Sequence, residues 1–185
     1  MTEPYREQEQ ENHPALRIRL QPGDILTACD NELNVPSGYM GHSAIAVSEQ
    51  TIVEAVITKP YIQTAPREHF FKSHPKCAVY RPVDSRAGMS AAHFAHWYWQ
   101  QSNHYERMGV HVPPFSFSQQ IPLSDPWTGV YCSKLVWLSY YYSVGFELKN
   151  DFGLFTPEDL DTNLSRDARF ILLYKHPDFA FFIDT

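Results

Sequence analysis

Residues 129–145, GVYCSKLVWLSYYYSVG, constrain the fold more than any other part of the chain. Behind Cys132, the residues Leu135, Val136, Leu138 and Tyr142 recur at three- and four-residue steps, which makes one side of a helix apolar. Gly145 supplies a C-terminal stop, and Pro126, Thr128 and Gly129 supply a turn in front. The spacing predicts a helix that opens at Cys132. A thiol there faces unpaired backbone N–H groups and the positive end of the helix dipole. Cysteine pKa values fall in such settings, and the thiolate is the nucleophilic form. The plainer reading is a small buried apolar residue, as most free cysteines are. A base elsewhere in the chain decides between the two.

The 185 residues suffice for one domain with a proper core. We expect a polar, mobile tail over residues 1–14 and a single domain over 15–185. With 43% hydrophobic and 19% charged residues the chain is globular in type. A net charge of -6 with no basic run argues against a nucleic-acid partner. No apolar run approaches the ~20 residues that would span a membrane. The first residues lack the basic flank and apolar segment of a secretory signal, so a cytoplasmic location is the default expectation. Three cysteines, Cys29, Cys77 and Cys132, none in a CxxC pair, argue against a disulfide framework and a structural zinc site. No cofactor is expected.

In chain order, residues 16–20 (LRIRL) alternate like a short edge strand, and a turn at Pro22-Gly23 leads into a strand at 25–29. Loop material fills 30–41. The segments 42–48 and 51–57 then read as a β-hairpin. A short helix covers 66–73, a strand 77–82 and a longer helix 87–101. Residues 103–125 form an irregular, proline-containing stretch, a length more typical of a functional loop than of a connection. Thr156, Pro157, Glu158 and Asp159 mark a helix start. Residues 169–174 read as a buried strand, and 179–183 as a further short piece. Strands in the first half with helices between and after them indicate an α+β domain.

The base for Cys132 is sought among nine histidines. His42 stands out because it opens a strand directly behind Gly41, although a satisfied core histidine has the same appearance. Glu54 strengthens it. This carboxylate lies inside the apolar strand TIVEAVI, where it is costly without a partner. If residues 48–50 form an odd hairpin loop, Ala44 stands opposite Glu54, and Glu54 lies diagonal to His42 on one face. A two-residue loop would put them on opposite sides. Ala44 and Ala46 leave room on that face for the Cys132 helix. In this arrangement His42 takes the thiol proton, Glu54 fixes the ring tautomer, and Cys132 attacks a carbonyl to form an acyl-enzyme. The N–H of Cys132 is a candidate oxyanion donor.

PGDIL, GHSAIAV, IVEA, a strand ending in RP, YCSKLVW and TPEDL, in that order, resemble the permuted NlpC/P60 cysteine hydrolases. More narrowly they are similar to the YiiX/YebB-like branch, related to lecithin retinol acyltransferase. The resemblance spans residues 20–174. It implies a circularly permuted papain-like fold, with a small curled antiparallel sheet and the nucleophile's helix packed on one face. It matches Cys132 to the nucleophile, His42 to the base and Glu54 to the third polar residue. Tyr131 and Tyr105 are implied as oxyanion or substrate donors. Tyr105-Glu106 stands where the family often has Tyr-Asp. Lys134 replaces an acidic residue and is read as a surface difference.

His93, His96 and His104 read as helix-surface residues rather than metal ligands. Phe115, Phe117 and Trp127 either line a groove or anchor their loop. The function expected first is a thiol hydrolase of the amidase or peptidase type, cleaving an amide or related acyl bond in small substrates such as cell-wall-type peptides. The alternatives are an acyltransferase on the same site, taking a lipid or acyl donor, and a binding module without turnover.

Overall fold

The organising hairpin has the odd loop. Val47 N–H donates to Thr51 O, and Ala44, Ile45 and Ala46 stand opposite Glu54, Val53 and Ile52. A computed structural model describes residues 13–29, 40–150 and 153–181. The strands are β1 (Ile25–Ala28), β2 (His42–Ala46), β3 (Thr51–Ala55), β4 (Ile62–Pro66), β5 (Cys77–Pro82) and β6 (Phe170–Lys175). They form one antiparallel sheet in the order β4-β3-β2-β1-β5-β6. The helices are α1 (Arg67–Ser73), α2 (Ser85–Arg107), α3 (Cys132–Val144) and α4 (Pro157–Arg166). The architecture is α+β, with the histidine strand β2 before the cysteine helix α3 in the chain.

Side chains alternate along a strand, so the sheet presents two apolar faces. Ile25, Ile45, Val53, Ala55, Ala78 and Tyr80 share a core with α2, α3 and α4. Leu26, Ala28, Ala44, Ala46, Ile52 and Val79 share the other with Phe70 and Phe71 of α1. The placement expected for the Cys132 helix is therefore corrected: α3 lies on the Ile45 and Val53 face. The small Ala44 and Ala46 make room for two phenylalanines of α1.

Other expectations are also corrected. Residues 14–17 form a 3-10 turn with proline at its first position, and no strand follows at 18–20. The carbonyls a strand would pair are taken by Arg67, whose guanidinium donates to Leu16 O and Ile18 O. β4 pairs the full length of β3, although its mixed IQTAP composition gives little strand signal. α2 begins behind an Asp84 cap, which accepts from Arg86 N, and runs to Arg107. β6 is an edge strand rather than a buried one, with Ile171 and Leu172 about half exposed. Residues 177–181 form no strand, and 182–183 lie outside the described residues, as do 1–12 and 30–39. Lys134 is buried at 1% exposure rather than on the surface. Its ammonium donates to Pro122 O and ties the preceding loop to α3.

Two helix ends follow the sequence signals closely. Gly145 caps α3 with a left-handed φ of 68°. Thr156 and Asp159 form a capping box at α4, each side chain accepting from the other's backbone N–H.

Candidate active site

α3 fixes the position of Cys132 through anchors along its length. Ser133 Oγ donates to Phe155 O at 2.7 Å, Trp137 Nε1 to Leu148 O at 2.9 Å, and Tyr140 OH to Gly23 O at 2.6 Å. The N-cap is Tyr131, which provides no side-chain cap, and the first turn holds no acidic residue. The N-terminal N–H groups of α3 thus have no side-chain cap from Tyr131. Ser133 N–H hydrogen-bonds Cys132.

β2 supplies the imidazole. Gly41, at φ 77°, delivers the chain into the strand so close to β1 that a Cβ would lie 2.1 Å from Ala28 O. His42 Nε2 meets Glu54 Oε2 at 2.7 Å. The other oxygen of Glu54 accepts from Gln63 Nε2 at 2.9 Å, so the carboxylate is held from both sides. With Nε2 engaged, Nδ1 is the ring nitrogen left for the thiol, and the side chains of Cys132 and His42 are hydrogen-bond partners. Cys132 also interacts with Ser43, whose side chain leaves the strand on the opposite face from His42. The sulfur therefore sits level with the start of β2, at the end of the sheet rather than above its middle. This is how a helix on one face reaches an imidazole held from the other.

Burial shapes the electrostatics. Cys132 is 3% exposed, and the side chains of His42 and Glu54 are 15% and 5% exposed. Burial alone would push the His42 pKa down. The hydrogen bonds and charges of Cys132 and Glu54 outweigh it and raise the value to about 10. Burial would push the Cys132 thiol up. Against this, His42, then Ser43 and the Ser133 N–H, hold it below the ordinary thiol range. Glu54 is likewise held low, with His42 and Gln63 overcoming its burial. Together these shifts favour imidazolium and thiolate over the neutral pair.

The site contains residues that the sequence reading missed. Gln63 could have been found from the β3–β4 register, since it stands directly opposite Glu54. His74, the C-cap residue of α1, stacks on His42 with ring centroids 4.9 Å apart. No local pattern marks it. Of the two tyrosines, Tyr131 sits next to the thiol as the N-cap of α3, but its hydroxyl accepts from Phe155 N and its ring lies against Phe117. Tyr105 lies in the last turn of α2, its ring against Trp127 and His104. Among the described residues no cluster of His, Cys, Asp and Glu could hold a metal ion, and no helix is long and apolar enough to cross a membrane.

No curated protein matches the chain. A solved structure described as the metalloprotein yiiX from Escherichia coli O157:H7 is similar at 13% identity and a TM-score of 0.49, over 86% of this chain and 99% of that one. The family model described as "Lipoprotein N-acylation protein LnsA-like" matches residues 3–174. That span takes in Cys132, His42, Glu54 and Gln63 alike, and the chain belongs to the LnsA-like family of lipoprotein N-acylation proteins.

Proposed function

We propose that this protein is a cysteine acyltransferase that carries an acyl group on Cys132 and delivers it to an amine. The observation that carries the reading is the pairing of a thiol at the first turn of α3 with an imidazole braced by Glu54. The activity in the family's description, N-acylation of a lipoprotein, supports an amine acceptor over water.

The chemistry runs in two balanced halves. The Cys132 thiolate attacks the acyl carbonyl of an ester donor, and the N–H groups at the start of α3 stabilise the oxyanion. The tetrahedral species collapses, the ester oxygen leaves with the proton of the His42 imidazolium, and a thioester remains. An amine then attacks the thioester. Neutral His42 takes the proton released from the amine, and the thiolate leaves as the amide forms. Glu54 keeps Nε2 protonated throughout, so that Nδ1 does the proton transfer.

A diacyl phospholipid offered together with a lipopeptide bearing a free terminal amine tests this, with products weighed by mass spectrometry. N-acylated lipopeptide in excess of free fatty acid, lost in Cys132→Ala, is the expected result. Free fatty acid alone would replace the reading by a hydrolase on the same residues. Turnover that survives Cys132→Ala would remove both.

A further inference from the structure

We propose that His74 is a positioning residue for this site: by stacking on His42 it holds the imidazole in the plane from which it addresses Cys132. The inference rests on the acyl-transfer reading only for its consequence in turnover. The ring geometry stands by itself.

The His42 and His74 rings are 4.9 Å apart at an interplanar angle of 29°. Phe70 lies 5.7 Å from His42 at 28°. Phe70 and His74 are only 5.0 Å from each other, so both lie to the same side of the His42 ring rather than sandwiching it. The two come from one turn of chain. Phe70 is in α1, and His74 N–H closes that helix onto Phe70 O at 2.8 Å. α1 thus presents a two-ring backing to His42. The Glu54 hydrogen bond fixes one ring atom, and a single such bond leaves rotation about its own axis. A flat backing removes that freedom.

The choice of imidazole also fits the charge. The ionisable groups around His42 are Cys132 from α3, Glu54 from β3, and His74 from the end of α1, with His69 of α1 acting on His74. His74 is held down to about 3 by burial first and by the positive His42 second. It therefore meets the imidazolium as a neutral aromatic face, which is attractive, and never competes for the proton.

Alkylation of Cys132 by iodoacetamide reads thiolate formation without turnover, so this test is independent of what the enzyme acylates. His74→Leu keeps volume and apolarity without a ring. His74→Phe keeps a ring that cannot titrate. We expect His74→Leu to move the alkylation midpoint about one pH unit toward the ordinary thiol range, about tenfold in thiolate below the midpoint. In the phospholipid assay it should lower kcat with KM nearly unchanged. His74→Phe should restore both to within about twofold, on the same scale. A folded His74→Leu protein with an unshifted midpoint would overturn the proposal, and so would a His74→Phe protein as impaired as His74→Leu. A shifted midpoint alongside activity that persists in Cys132→Ala would instead keep the ring's role and reject the acyl-transfer reading.

Discussion

His42 Nε2 and Glu54 Oε2 lie 2.7 Å apart across a hairpin, although twelve residues separate them in the chain. The contact is a product of register. Ala44 stands opposite Glu54, so the carboxylate points to the face of His42 and reaches it diagonally. Shifting the pairing by one residue would turn Glu54 into the opposite core, beside Ile45, and Val53 out of it. The three-residue loop therefore sets which face Glu54 occupies, and with it the contact to His42.

Glu54→Gln keeps the shape of the side chain and removes its charge. Its amide cannot stabilise an imidazolium, and the ring tautomer is no longer dictated. We expect turnover of an acyl donor to fall by about 10²- to 10⁴-fold, the range spanned by a general base and its orientation. Steady-state kinetics on the purified variant check this. Activity within threefold of the parent, on that scale, would show that the carboxylate has no part in proton transfer.

Stability should carry a signature of the thiolate–imidazolium pair. His42 is raised from 6.5 to about 10, so its contribution is complete below pH 6.5 and is lost as pH rises through about 10. Cys132 is lowered from 9.0, so its contribution is complete above pH 9.0 and is lost as pH falls through its folded value. Above pH 9.0 only the His42 slope is left, so the contribution of the pair falls as pH rises through about 10. The difference in melting temperature between the parent and a Cys132→Ala/His42→Gln variant should shrink as pH rises from 9.0 through about 10. A difference that grows steadily through pH 10 contradicts the pair.

Gly41→Ala tests the link between backbone and site. Its φ of 77° and the 2.1 Å approach to Ala28 O leave no place for a methyl group. Strain of this kind costs about 1–3 kcal/mol, and relief requires β2 to move at His42. Chemical denaturation should show a loss in that range, and Cys132 alkylation should slow with it. A variant as stable as the parent, with unchanged thiol reactivity, would mean that the entry to β2 is not rigid.

Much of this was legible in the residues. The α3 helix announced itself through apolar spacing and Gly145, and α4 through Thr156 and Asp159, because those signals are local. The Ala44–Glu54 register was legible because an isolated carboxylate in an apolar strand demands a partner. The face on which α3 packs was not. Small Ala44 and Ala46 fit either helix, and only the bulk of Phe70 and Phe71 assigns them to α1. His74 and Gln63 were hidden for the same reason. They reach the site through α1 and β4, whose placement comes from tertiary contacts. Lys134 was misread because a buried ammonium is rare, and its partner is a carbonyl twelve residues away in an irregular loop.

Intact-mass spectrometry after mixing the protein with an activated ester, without any amine, addresses the central step most directly. One acyl increment should appear on Cys132, disappear on addition of an amine with formation of the amide, and be absent from Cys132→Ala and His42→Ala. Consumption of the ester by Cys132→Ala at the parent's rate, with no adduct on the parent, would contradict acyl transfer through this thiol.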